Sequence, residues 1–375
     1  MKYKKAKLKP DEKACLQLRG LYEQYGYKKY KMGKFEEYSL YAENKDFLGS
    51  DKVITFTDLD GRLLALKPDV TLSIIKNTNA TSESNEKLYY LENVYRESRE
   101  SHTFKEISQM GLECIGRVEP YCIVEVISLA AESLNAISGD YILELSHMGF
   151  VVELLKSFQV AEHTKLRLLG LIRNKNADGL RKAAEEAELS KLQTESLCKL
   201  PYLYGNAEET IKNAKEICFS SAMEKALAEL EAIYSALSEM GIGEKIQFDL
   251  SIVNDIDYYN GIIFKGYVKE LGSCILAGGQ YDQAAARLGK KAEAIGFALY
   301  LNEVNRIVQE KEEYDIDALV LYRCGEPIVS VAKAVRGLQE EGLSVRAEKA
   351  RPKNVRARDI YVLENGTLRK EEPTC

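Results

Sequence analysis

The chain has 375 residues, of which 45% are hydrophobic and 29% charged, a globular composition long enough to bury a sizeable core. Its net charge of −6 argues against a general nucleic-acid coat, which needs clustered positive charge. The lysine-bearing N-terminus lacks a signal-peptide apolar run, and no stretch approaches the roughly 20 apolar residues of a membrane span. The eight cysteines form no CxxC pair and His102, His147 and His163 are dispersed, so the sequence implies reduced thiols, no metal site and a cytoplasmic protein.

In chain order, Asp11–Tyr25 reads as a helix capped by Asp11, with Leu16, Leu18, Leu21 and Tyr22 near helical spacing. Residues 53–69, VITFTDLDGRLLALKPD, set two apolar runs around Asp58-Leu59-Asp60-Gly61 and predict a hairpin. Tyr89–Tyr95 and Ile107–Ile115 predict an antiparallel pair, Tyr121–Ile137 a helix and Tyr141–Leu145 a strand leading to His147. Residues 150–243, rich in Ala, Leu, Glu and Lys, read as almost wholly helical. Strands are expected at Ile246–Ile252, Gly261–Val268 and Cys274–Ala277, and a helix from Gly296 to Gln309. The charged KEEYD at 311–315 marks a boundary. Beyond it lie strand Ala318–Tyr322, helix Pro327–Glu340 and strands Ser344–Ala347 and Asp359–Leu363. Strands and helices segregate instead of alternating strictly. That predicts an α+β fold, with a mainly antiparallel sheet and flanking helices over 1–310 and a small α/β unit at 311–375.

Four stretches carry more: Leu66-Lys67-Pro68-Asp69-Val70-Thr71; YLENVYRESRESHTFKEISQMGLECIG from Tyr90 to Gly116; Asp257-Tyr258-Tyr259-Asn260-Gly261 followed by Gly278-Gly279-Gln280-Tyr281-Asp282; and Ala294-Ile295-Gly296-Phe297-Ala298-Leu299. In this order and spacing they resemble the histidyl-tRNA synthetase family, of class II aminoacyl-tRNA synthetases, and its close relative, the regulatory subunits of ATP phosphoribosyltransferase. The resemblance covers roughly residues 10–310.

Adenylate chemistry needs cations and magnesium around the phosphates. The resemblance makes Arg96 the arginine that grips the α-phosphate and the amino acid's carboxylate. An amino-acid pocket also needs acceptors for an ammonium. Asp69, Gln109 and Glu113 are the natural candidates and by resemblance occupy the positions that contact the α-amino group. Thr71 could add a hydroxyl, and by the same resemblance Tyr258 and Tyr259 would wall an imidazole. The departures bear on function. Asn254 stands where the resemblance implies a catalytic arginine, Glu303 where the third class II motif carries an arginine for the triphosphate, and Gln280 where the glycine loop has arginine. At about 4 Å and an effective dielectric near 20, exchanging a cation for an acid swings the interaction by about 8 kcal/mol. Gly33 stands near the place of the proline in the first class II motif, which builds the dimer interface, and the C-terminal unit is shorter than a synthetase anticodon-binding domain.

A preserved amino-acid pocket with lost phosphate chemistry implies a non-catalytic regulatory subunit of the short-form ATP phosphoribosyltransferase. Such a subunit assembles with a separate catalytic subunit for the first step of histidine biosynthesis, with L-histidine as allosteric effector. The resemblance implies a homodimer core within a hetero-oligomer. No cofactor is expected, the lack of a long apolar run predicts no membrane partner, and the acidic balance and short C-terminal unit count against tRNA. The alternative is a divergent histidyl-tRNA synthetase or a paralogue that activates an amino acid with ATP.

Overall fold

The fold was obtained as a computed structural model that describes residues 8–45, 48, 52–81, 83–98, 101–253, 259–307 and 314–371. Pro10–Ile307 form one compact unit and the described C-terminal residues a second.

The first unit opens with helix α1 (Pro10–Gln24), strands β1 (Lys28–Lys29) and β2 (Phe35–Glu37) and helix α2 (Tyr38–Ala42). The hairpin β3 (Thr55–Thr57) and β4 (Leu63–Leu66) and helix α3 (Thr71–Asn77) follow. Next come the long strands β5 (Glu86–Glu97) and β6 (Phe104–Gly116), helix α4 (Pro120–Ile137) and strand β7 (Tyr141–His147). A helical stretch holds α5 (Met148–Lys156), α6 (Glu162–Arg173), α7 (Ala177–Glu186), α8 (Lys191–Lys199), the short strand β8 (Tyr204–Gly205), α9 (Ala207–Lys215) and α10 (Ser221–Glu239). Strands β9 (Ile246–Asp249), β10 (Ile262–Val268) and β11 (Leu276–Gln280), helix α11 (Asp282–Arg287), strand β12 (Glu293–Tyr300) and helix α12 (Leu301–Val304) complete it.

Among the described residues, nine strands form one sheet in the order β1-β5-β6-β12-β11-β10-β7-β9-β8. Its pairs are antiparallel except β1 with β5 and β7 with β9. Helix α4 lies across one face, where Ile123, Val126, Ile127, Ala130 and Leu134 are buried. By length and composition this helix could cross a membrane, but its apolar face is the core of the unit. Pro120 at its start costs no hydrogen bond, since the first amides of a helix have no internal acceptor. Several of the later helices are capped by side chains: Asn206 Oδ1 accepts from the amides of Glu208 and Glu209 on α9, and Ser190 and Gln193 form a capping box on α8.

Several expectations need correction. Helix α1 begins at Pro10, so Asp11 lies in its first turn and is not its cap. The expected helix from Gly296 is largely strand β12, paired with β6 and β11, and only Leu301–Val304 is helical. An apolar run of this length fits either element, and pairing on both edges decides it. Gln309 lies outside the described residues. The strand expected at Ile246–Ile252 ends at Asp249, where the Asp249 carboxylate accepts from the Ser251 amide at 2.9 Å and turns the chain. The strand placed at Cys274–Ala277 runs from Leu276 to Gln280.

The C-terminal unit contains β13 (Ile316–Tyr322), α13 (Ile328–Glu340), β14 (Val345–Glu348), β15 (Ala357–Glu364) and β16 (Thr367–Lys370), the last unforeseen in the sequence. Its sheet runs β14-β13-β15-β16, parallel but for the final pair.

Candidate functional site

The site lies on the face of the large sheet opposite α4, over the central strands. In β6, Gln109, Gly111 and Glu113 point to one side, as every second residue of a strand must. Gln109 stands opposite Tyr300 of β12, and Glu113 opposite Gly296. The missing side chain at Gly296 is what admits Glu113, since an added Cβ would lie on its Oε2. Likewise Gly111 leaves room for the Tyr90 hydroxyl from β5, and Gly279 for the Tyr259 ring.

The loop before α3 brings in the rest. Lys67, 1% exposed, anchors this loop through an ion pair with Glu92 Oε2 at 2.5 Å. Two residues on, the Asp69 carboxylate is buried and accepts from the Leu72 amide at 2.8 Å and from Arg96 Nη2 at 3.3 Å. Burial raises its pKa, opposed by the Arg96 charge. Arg96 Nε donates to the Pro68 carbonyl at 2.6 Å, and the guanidinium also meets the Tyr300 hydroxyl. Thr71 Oγ1 donates to Glu113 Oε1 at 2.8 Å, and the Tyr281 hydroxyl donates to Oε2. Even so, burial pushes the Glu113 carboxyl up to about 8, with the two hydroxyl bonds pulling the other way.

Gln109 is 2% exposed, and its side-chain amide makes no hydrogen bond among the described residues, which leaves its carbonyl and amino groups to a ligand. Tyr259 packs between the two apolar clusters of the unit. Burial and the neighbouring Tyr300, Glu113 and Asp69 raise its hydroxyl. Asp69, Thr71, Arg96, Gln109, Glu113 and Tyr259 therefore share one cluster, while Tyr258 and Asn254 lie outside the described residues. Sequence reasoning missed Tyr90, Tyr281 and Tyr300 as members. Tyr90 and Tyr281 stood inside the motifs, whereas Tyr300 takes its place only from strand register.

Glu303, on α12, accepts from Ser273 Oγ at 2.7 Å and from Arg306 Nη1 at 2.5 Å. Arg306, the next arginine along the chain, is thus bound to that acid. Gln280 donates to Asp282 Oδ2 at 3.0 Å and Asn260 donates to the same oxygen at 2.9 Å, which ties the glycine loop to the loop before β10. No cluster of three metal-ligating side chains occurs among the described residues. The cluster is rich in hydrogen-bond acceptors, and its one arginine is engaged with acceptors of the protein itself. It suits a small cationic or zwitterionic ligand better than a triphosphate.

The family model of histidyl-tRNA synthetase matches residues 4–304. An ATP phosphoribosyltransferase regulatory subunit from Bacillus cereus (strain G9842) is 31% identical over 297 residues, 77% of this chain and 70% of its own length. The chain belongs to the ATP phosphoribosyltransferase regulatory subunit family. Its fold is shared with a crystal structure described as an ATP phosphoribosyltransferase regulatory subunit/histidyl-tRNA synthetase from Bacillus halodurans C. That structure matches with a TM-score of 0.75 and 25% identity over 90% of this chain and 88% of its own. A likeness of fold alone extends to an ATP phosphoribosyl transferase (HisG:HisZ) complex from Thermotoga maritima, with a TM-score of 0.61, 20% identity, and 76% and 96% of the two chains covered. In this member of the family Asp69 pairs directly with Arg96, while Thr71 and Tyr281 hold the Glu113 carboxyl.

Proposed function

We propose that this regulatory subunit binds L-histidine in the Asp69–Glu113 pocket and passes that occupancy to a separate catalytic subunit of ATP phosphoribosyltransferase. The regulatory, non-catalytic role follows from family membership; the ligand and its site are the further step. The observation that carries the reading is the pairing of buried acceptors with an uncommitted amide at Gln109. An α-ammonium would sit among Asp69, Gln109 and Glu113, the ligand carboxylate toward Arg96, and the imidazole against Tyr259, with Tyr258 its companion by resemblance. Feedback then requires only that histidine favour one state of the complex, for which a coupling of about 1–3 kcal/mol suffices.

A homodimer core is part of the same reading. The outward face of the β2-β4-β3 sheet carries Phe35 and Phe56, 51% and 38% exposed, with ring centroids 5.3 Å apart, a face that a second copy would cover. A cytoplasmic setting is consistent with a biosynthetic role.

The test combines this chain with the catalytic subunit from the same source and follows phosphoribosyl-ATP formation with and without histidine. Stimulation that histidine suppresses, and that Glu113→Ala renders insensitive to histidine, supports the proposal. Suppression left intact by Glu113→Ala removes the pocket from it. The rival reading, an enzyme that activates an amino acid with ATP, predicts histidine-dependent exchange of pyrophosphate into ATP. The expected result is none, because the Arg96 guanidinium is held by Pro68, Asp69 and Tyr300.

A further inference from the structure

The face of the sheet that carries the pocket continues past it. In register, Glu144 of β7 stands opposite Lys265 of β10, Lys265 opposite Ala277 of β11, and Ala277 opposite Ala298 of β12. The row runs on to Gly111 of β6 and Tyr90 of β5, so it enters the pocket described above. Glu144, Lys265, Ala277 and Ala298 are all partly accessible, although β10, β11 and β12 are interior strands. Alanine methyls open to solvent in the middle of a nine-stranded sheet are the floor of a trough. One end of the trough is the Asp69–Glu113 cluster, and the other is Lys265 and Glu144.

That far end is unusual in how its charges are spent. Asp249, the next carboxylate, is taken up by Lys175 at 2.8 Å and by the Ser251 hydroxyl at 2.5 Å. Lys265, by contrast, makes no ion pair among the described residues, and Glu144 bonds to the Tyr267 hydroxyl. Ser146, two residues along β7 on the same face, is 0% exposed and its hydroxyl has no hydrogen-bond partner. Lys265 and the half-buried Glu144 act on each other only through their fields, without a close ion pair, and a buried hydroxyl left unsatisfied beside them is costly unless a ligand completes it.

We propose that Lys265, Glu144 and Ser146 form a second subsite that takes the zwitterionic head of a free amino acid, its carboxylate on Lys265 and its ammonium on Glu144. Side chains directly opposed across an antiparallel pair start about 5 Å apart at Cβ. A carboxylate and an ammonium on one carbon can bridge such a pair, whereas neither a phosphate nor a polyamine balances both. The distance from β10 to β6 is three strand spacings, about 14 Å. That exceeds the length of one amino acid, so the two ends of the trough hold separate molecules. The subsite does not depend on the ligand at the Asp69–Glu113 end being histidine.

Isothermal titration of the full-length chain tests this with L-histidine, glycine and L-glutamate as probes, and with histamine, which lacks the carboxylate. The wild type should bind two equivalents of amino acid. Lys265→Gln should abolish one or weaken it at least tenfold, Lys265→Arg should retain it, and Glu113→Gln should weaken the other. Histamine should not fill the Lys265 site. Whichever probe titrates the Lys265-dependent site identifies its occupant. A single equivalent that responds to Glu113→Gln but not to Lys265→Gln or Glu144→Gln overturns the proposal and leaves the histidine pocket standing. Lys265-dependent binding of glycine or glutamate with no histidine bound at the other end sinks the effector reading and leaves this subsite. No binding of any probe overturns both. Circular dichroism and thermal unfolding of Lys265→Gln and Glu144→Gln separate lost binding from lost fold.

Discussion

The Thr71 hydroxyl donates to Glu113 Oε1 at 2.8 Å, and this bond joins the first residue of α3 to β6, an interior strand of the large sheet. Thr71→Val keeps the shape and removes the donor, leaving one oxygen of a buried carboxyl short of a partner. The expected cost is about 1–3 kcal/mol of stability, read by denaturant unfolding, together with weaker histidine binding by calorimetry. Unchanged affinity would show that the two walls of the pocket are held together by something else.

Glu113 also predicts a pH dependence. Its carboxyl is raised from 4.5 to about 8 by burial. The folded state therefore keeps a proton that the unfolded chain gives up as pH rises above the unfolded value. The stability this group contributes is full below about 4.5 and is lost as pH climbs through about 8. Glu113→Gln stays neutral, so its Tm should rise relative to wild type between pH 5 and pH 8. A ligand ammonium favours the ionised carboxylate, so histidine binding near pH 7 should release a proton. Titrations in two buffers of different ionisation enthalpy measure that release.

Gly296→Ala should be among the most damaging single methyl additions in the chain. The new Cβ would collide with Glu113 Oε2 and with the Leu112 carbonyl, and the latter belongs to a paired strand that cannot yield. Overpacking of this kind costs about 1–3 kcal/mol, and here it also displaces the carboxyl that the pocket is built on. A variant with wild-type Tm and wild-type histidine affinity would contradict the geometry.

A separate test concerns the core beneath the pocket. Glu125 on α4 is 4% exposed and receives Lys87 Nζ at 2.6 and 2.8 Å and the Tyr27 hydroxyl at 3.1 Å. Lys87→Met leaves that carboxylate without its cation and should cost about 3–5 kcal/mol in urea unfolding. Adding Glu125→Gln should restore much of it. Additive effects in the double mutant would mean that the pair is not coupled.

The exposed aromatics predict an assembly state. Phe35→Glu places a charge on the β2-β4-β3 face, and a dimer built there should dissociate in light scattering at micromolar concentration. A variant that stays dimeric excludes this face.

The parts of the molecule legible in the sequence are those with long or chemically distinctive signals. The β5–β6 pair, α4 and the Asp58–Gly61 hairpin all read from alternation, helical spacing and turn chemistry. Strand β12 did not, because AIGFALYL is apolar throughout and its state is set by β6 and β11, which are distant in sequence. The same limit hid Tyr300, whose membership comes from lying opposite Gln109. Asp69, Arg96 and Glu113 were found through motif spacing, yet the sequence could not show that Arg96 turns inward on Asp69 and Pro68. That commitment is a matter of rotamer and register, not of residue type.

Glu113 and Gly296 face each other on adjacent strands, while residues 117–292 connect the end of β6 to the start of β12. The pocket therefore closes only when a very long loop has been drawn shut, which makes it a late and entropically demanding part of folding. The cost of that closure, however, grows only with the logarithm of loop length: doubling the loop adds about 0.6 kcal/mol. Helices α5 to α10 sit inside this loop, and all but α6 carry a side-chain cap at the N-terminus. Lengthening, trimming or replacing that helical stretch would barely tax the closure of the site, which leaves it the region of the chain with most freedom to acquire a new surface.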